Sequence, residues 1–238
     1  MHFETRYTYD FVKRFLPSEC GRILEVGCGA GELAARLSKD GYSVIAIDAD
    51  RDSVTAARRL GVNVHVANWP DFNEGRFDAV LFTRSLHHIH PLDHAVTHVL
   101  DSLTDSGRVI VEDFAYESAD KETLNWFTSA IRLLEATGSL GSGDEFLQTV
   151  LAKTATPKAW RENHENQLHT AAEIDAQLEK TFARGIKENT AYYFRYIAKA
   201  ITATAKRDAT LHSFAEQEQT LAADGCIVAL GRRFVAAR

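Results

Sequence analysis

Cysteine is scarce in this chain of 238 residues, as are long apolar runs and any excess of positive charge. Its three cysteines, Cys20, Cys28 and Cys226, are odd in number and far apart, which argues against a disulfide framework and against a paired-cysteine metal site. No run of 18 apolar residues occurs, and the opening Met1–Arg6 has no apolar stretch of a secretory signal. A cytoplasmic protein with no membrane contact is therefore expected. Lys and Arg number 27 against 33 Asp and Glu, leaving a net charge of −6 and a pI near 5.9. That balance removes the electrostatic case for a nucleic-acid partner. Internal repeats and low-complexity segments are absent. The hydrophobic fraction of 45% and charged fraction of 25% are ordinary for one globular domain with a sizeable core.

What is present is concentrated between Ile23 and Leu37. A short apolar run holding Glu25 leads into Gly27, Gly29 and Gly31, and then into a helical pattern with Leu33 and Leu37 on one face. This predicts a buried strand, a tight turn and a helix N-terminus, where glycine lets the backbone turn and a ligand approach. A dinucleotide fingerprint starting at Gly27 would need a third glycine at position 32, which is Glu32. The pattern is instead E-x-G-x-G-x-G, and the next strand, Tyr42–Asp48, closes on an acid suited to ribose hydroxyls. From Glu25 to Asp48 and on to about Glu117, the chain resembles the class I S-adenosylmethionine-dependent methyltransferases.

That resemblance implies an α/β fold: a Rossmann-like seven-stranded sheet with helices on both faces and an antiparallel last strand. It implies a core over residues 1–117, a helical cap between the fifth and sixth strands over 118–188, and a sheet completed by 189–238. S-adenosylmethionine would be the cofactor and S-adenosylhomocysteine its product. Glu25, Gly27, Cys28, Gly29, Gly31, Asp48 and Ala49 would form the cofactor loops, with Cys28 there as a small side chain. After a strand at Val62–Val66, Asn68 would bond the adenine amine, although the family more often has Asp there. Trp69 would either stack on the ring or serve as a core aromatic. The strand Phe77–Thr83 delivers a Ser-Leu-His-His loop, in which Thr83, Arg84 and Ser85 would contact the methionine moiety. A helix from Tyr7 to Leu16, ended by Pro17, either packs on the sheet or covers that moiety with Arg6, Tyr7 or Tyr9.

Three residues are candidates for proton chemistry: His87, His88 and, at the end of the fifth strand, Asp113. Each would act as a base or substrate anchor, or else simply pack; Glu112 alternates with Asp113 and should point the other way. His94 and His98 are four apart on a helix, but Ala95 stands where a zinc protease has Glu, and no metal is expected. In the cap, hinged at Gly138, Gly141 and Gly143, Trp126, His164 and His169 are candidate substrate contacts, as is Tyr192 beyond it. Thr170–Glu173 resembles a capping box opening a helix to Phe182. Ala191–Ile197 reads as a sixth strand or a helix start, Thr210–Ala223 as a helix and Gly225–Val235 as the last strand. The expected activity is methyl transfer to an O, N or C nucleophile of a small molecule, by a monomer or homodimer. The alternatives are a non-catalytic binder of the cofactor, an enzyme using it for another reaction and, disfavoured by Glu32, a nicotinamide oxidoreductase.

Overall fold

A computed structural model describes residues 1–141, 144–152, 156–164, 167–182, 184–202 and 206–238; Gly143, one of the expected hinge glycines, lies outside them. The first half alternates strand and helix, except that β3 runs to β4 through a loop. The elements are α1 (Phe3–Phe15), β1 (Arg22–Val26), α2 (Glu32–Lys39), β2 (Ser43–Asp48), α3 (Arg51–Arg59), β3 (Asn63–Val66), β4 (Phe77–Thr83), α4 (Leu92–Ser102) and β5 (Leu103–Phe114). There follow α5 (Lys121–Ala136), α6 (Glu145–Ala152), α7 (Pro157–Glu162), α8 (Ala171–Thr181), β6 (Gly185–Thr190), α9 (Tyr193–Ala198), α10 (Arg207–Ala223) and β7 (Gly231–Ala237). Among the described residues, four α-helices thus separate β5 from β6. Among the described residues no helix is long and apolar enough to cross a membrane.

The chain divides into two compact units. The first holds Met1–Asp113, Ala171–Glu188 and Arg232–Arg238; the second holds Phe114–Thr170 and Asn189–Gly231. The seven strands run in the order β3-β2-β1-β4-β5-β7-β6. β1 pairs in parallel with β2 and β4, β2 with β3, and β4 with β5. β7 is antiparallel to β5: the N–H of Arg238 bonds the carbonyl of Gly107, while that of Ala115 bonds Leu230. Alternate residues of the central strands point to opposite faces, and each face meets its own helices. Leu24, Val26, Val80 and Phe82 pack with Val96 and Val99 of α4 and Ile174 and Leu178 of α8. Ile23, Ala79 and Leu81 pack with Val12 of α1, Leu33 and Leu37 of α2 and Val54 of α3. Each of the larger side chains among these, removed from water, stabilises the unit by roughly 1.5–3 kcal/mol.

One open alternative is settled and one expected boundary moves, both for physical reasons. The aromatic run Ala191–Ile197 carries α9, and the sixth strand lies before it. Glu218 of α10, buried in the second unit, accepts the N–H groups of Tyr192, Tyr193 and Phe194 and so caps a helix start there. The last strand begins at Gly231 rather than Gly225, because residues 225–227 close α10: Gly225 has φ +71, and the N–H of Cys226 bonds Leu221 at 2.8 Å. The second unit is otherwise an aromatic core. Phe127 lies 4.9 Å from Tyr193, and Trp160 meets Phe127 edge-on at 5.9 Å.

Candidate functional site

Because β1 sits between β2 and β4, the connections leaving the carboxyl ends of β1 and β4 go opposite ways and open a crevice. The glycine loop lies in it. The N–H groups of Gly27 and Cys28 both bond the carbonyl of Ile47 at the end of β2. Gly27, Gly29 and Gly31 have φ of +71, +53 and +76, yet they serve different ends. A Cβ at Gly27 would lie 2.4 Å from Ser85 Cβ, and one at Gly31 would lie 2.6 Å from Ala57 Cβ. A Cβ at Gly29 would meet nothing within 4 Å. Two of the glycines permit close packing, and the third faces open space.

That space consists of two cavities, of about 750 and 340 Å³, with Gly27, Gly29 and Arg84 lining both. Asp48, Ala49, Asn68 and Trp69 line the larger, together with Ser85 and His88. Asp48 is fixed by the N–H groups of Gly29 (2.7 Å) and Asp50 (2.9 Å), one to each oxygen, and each carboxylate oxygen has a second lone pair with which to accept a further donor. Asn68 is exposed. Trp69 is a core aromatic as well as a wall. It is 6% exposed, its indole N–H donates to the Ala95 carbonyl at 2.8 Å, and its ring lies 4.7 Å from His98.

The smaller cavity is lined by Glu25, Cys28, Gly31 and Thr83, and by two residues of α1, Thr5 and Thr8. Glu25 is 1% exposed; Thr83 donates to its Oε1 at 3.2 Å, and its Oε2 has no hydrogen-bond partner. Burial raises the Glu25 carboxyl to about 7. A buried, half-satisfied carboxylate beside open space fits a cationic ligand group such as an ammonium. Burial, with Glu25 and Asp48 close by, raises the Cys28 thiol, so Cys28 is a packed thiol and not a nucleophile. The α1 residues at this wall are Thr5 and Thr8; Tyr7 lies under the Arg233 guanidinium, and Tyr9 bonds Asp40. Sequence reasoning passed over both threonines, whose only signal was their i, i+3 spacing on one face of α1.

At the end of β5 the side chains of Asp113 and Glu112 diverge. Asp113, 2% exposed, accepts from His87 Nδ1 at 2.6 Å and from the His87 N–H at 3.2 Å. His87 is buried and its ring lies 4.1 Å from that of His88, tilted by 46°, and His88 is exposed at the wall of the larger cavity. His90 and His94 line that cavity as well. Glu112 instead meets Thr8, Arg84 and Arg233. The other four candidates belong to the second unit. Trp126 packs against Tyr193 and Phe214, Tyr192 stacks on Phe114 at 4.7 Å, and His164 bonds Tyr196 at 2.9 Å. His169 is half-buried shortly before α8.

Comparison with known proteins agrees with this geometry. A family profile described as a methyltransferase domain matches residues 2–176. An uncharacterized methyltransferase of Staphylococcus carnosus is 31% identical over 102 residues, 41% of this chain and 49% of that protein. A ubiquinone biosynthesis O-methyltransferase of Hydrogenovibrio crunogenus is 35% identical over 89 residues, 34% of this chain and 37% of its own length. The chain thus spans about half, or less, of the curated relatives it matches. Among solved structures, Haemonchus contortus phosphoethanolamine N-methyltransferase 2, bound to phosphomonomethylethanolamine and S-adenosylhomocysteine, aligns with a TM-score of 0.57 at 17% identity. That alignment covers 98% of this chain and 52% of the other. With the family profile spanning most of the sequence, the chain belongs to the methyltransferase-domain family of class I, S-adenosylmethionine-dependent fold.

Proposed function

We propose that this protein transfers a methyl group from S-adenosylmethionine to a nucleophilic atom of a small molecule. The observation that carries the reading is the open face of Gly29, where the two cavities meet, with Asp48 on one side and the half-satisfied Glu25 on the other. Asp48 would accept the ribose hydroxyls, and Asn68 would meet the adenine amine, with Ala49 and Trp69 against the ring. Glu25 would face the ammonium of the amino-acid end. When bound, the cofactor supplies an electrophilic methyl on a sulfonium, and the protein's task is then alignment and proton removal.

His88, which lines the larger cavity, would take a proton from an acceptor or orient its attacking atom. Asp113 is committed to His87, so its part is to hold that imidazole rather than to meet an acceptor itself. The small-molecule class rests on the net negative charge and on relatives and neighbours that include a ubiquinone biosynthesis O-methyltransferase and a phosphoethanolamine N-methyltransferase. Calorimetric titration with S-adenosylhomocysteine, with NADH as control, is the direct test. Micromolar binding of the first and none of the second is expected. No binding of S-adenosylhomocysteine would remove the reading.

A further inference from the structure

Glu112 is a buried carboxylate that lines neither cavity, yet both a wall residue and the helix roofing the smaller cavity are fastened to it. It is 1% exposed. Its Oε2 takes two N–H bonds from Arg233 of β7, at 2.9 and 2.6 Å. Its Oε1 accepts the Thr8 hydroxyl of α1 at 2.6 Å and lies 3.7 Å from Arg84 Nη1. The Arg84 Nη1 in turn donates to Thr8 Oγ1 at 3.2 Å, so the bonds form a chain from Arg84 through the Thr8 hydroxyl to Glu112. The backbone joins in, since the Arg84 N–H bonds the Glu112 carbonyl at 2.7 Å.

Arg84 is held in an uncommon conformation. Its φ is +64, a left-handed value that a non-glycine residue adopts only when its surroundings over-determine it. Arg233, over Phe11 (4.4 Å) and Tyr7 (4.9 Å), cannot swing away from Glu112 without leaving two rings of α1. The carboxylate is therefore fixed from the side remote from the cavities and fixes the two groups, Thr8 and Arg84, that face the smaller one.

We infer that Glu112 is a positioning residue for the amino-acid end of the cofactor: through Thr8 and Arg84 it sets the side of the smaller cavity opposite Glu25. Glu25 would face the ligand's ammonium and Arg84 its carboxylate, and Glu112 decides where Arg84 stands. The inference rests on the cofactor reading above. It makes a distinction that a merely structural role does not. Loss of Glu112 weakens a ligand that carries the amino-acid group and spares one that carries only the nucleoside.

The test compares S-adenosylhomocysteine with 5′-methylthioadenosine, which keeps the nucleoside and thioether and lacks the ammonium and carboxylate. Calorimetry on wild type, Glu112→Gln and Arg233→Lys gives six affinities. For Glu112→Gln, S-adenosylhomocysteine binding should weaken about tenfold, the scale of one hydrogen bond to a charged group. Binding of 5′-methylthioadenosine should change less than about twofold on the same scale. Arg233→Lys, which replaces the two-pronged grip with a point charge and lines neither cavity, should act in the same direction and carries the test if Glu112→Gln does not fold. Equal losses for both ligands, or unchanged S-adenosylhomocysteine affinity, would overturn the inference and leave the cofactor reading intact. If wild type bound neither ligand, both would fall.

Discussion

His87 Nδ1 lies 2.6 Å from Asp113 Oδ1, and both side chains are buried. An ionised carboxylate can only accept, so the proton of a neutral His87 ring sits on Nδ1 and the lone pair on Nε2. The same carboxylate holds the His87 backbone N–H at 3.2 Å, which ties the turn after β4 to the end of β5. Asp113→Asn is expected to lower turnover by about a hundredfold, the lower range for disturbed acid–base catalysis, with S-adenosylhomocysteine affinity nearly unchanged. His88→Ala should show the same split. Nitrogen NMR of the imidazoles reads the tautomer in wild type and in Asp113→Asn without an assay. Wild-type turnover in both variants would mean that alignment alone accelerates the reaction.

The three glycines of the loop should separate ligand binding from stability. Gly31→Ala forces a methyl against Ala57, 2.6 Å away, and should cost about 1–3 kcal/mol with a lowered melting temperature. Gly29→Ala meets no protein atom within 4 Å and bears only the left-handed strain, about 1 kcal/mol. Its methyl would enter the space assigned to the cofactor, so S-adenosylhomocysteine affinity should fall at least about tenfold while most of the stability remains. Thermal unfolding and calorimetry on the two variants decide it. Equal affinities in Gly29→Ala and wild type would place the ligand elsewhere.

How legible each of these features was depended on how local its cause is. The strand, glycine turn and helix from Ile23 to Leu37 are written in adjacent residues, and so are the acid Asp48 and the alternation up to β5. What escaped detection depends on partners far along the chain. The run around Tyr192 leaves a strand and a helix start both open, because the carboxylate that caps the helix, Glu218, is 26 residues away on α10. The strand β6 has a polar sequence with Ile186 52% exposed, so it carries no apolar alternation to be recognised by. Alternation did separate Asp113 from Glu112, but their partners, His87 on one side and Thr8 with Arg233 on the other, are pairings that only the folded sheet makes.

In the second unit, His164 is wired on both ring nitrogens. A carbonyl only accepts, so Nδ1 donates to Trp160 O at 2.9 Å, and the neutral Nε2 accepts the Tyr196 hydroxyl at 2.9 Å. Tyr196→Phe and His164→Ala should each destabilise the protein by about 1–3 kcal/mol, and the double variant by less than the sum. Denaturant unfolding of the four proteins measures that coupling. Additive losses would show that the contact contributes nothing of its own.

Glu25 makes both stability and binding depend on pH, and the signs follow from its raised pKa. Burial moves it from 4.5 to about 7. Between those values the native protein holds a proton that the unfolded chain has released, so the stability contributed by the neutral acid is fully present below about 4.5 and is lost as pH rises through about 7. The full span is worth about 3 kcal/mol. Glu25→Gln should therefore be the more stable protein at pH 8 and should lose stability less steeply between pH 5 and 7. Some slope remains, because Glu218 is raised to about 7 by burial too, with the same sign. Binding runs the other way. A ligand ammonium beside Glu25 favours the carboxylate, so S-adenosylhomocysteine should bind more tightly above pH 7 than below it and should release a proton near neutrality. In Glu25→Gln the affinity should be lower and flat with pH. Titrations in buffers of different ionisation enthalpy count the released proton, and a wild type that releases none would show that the half-satisfied oxygen of Glu25 does not face the ligand's charge.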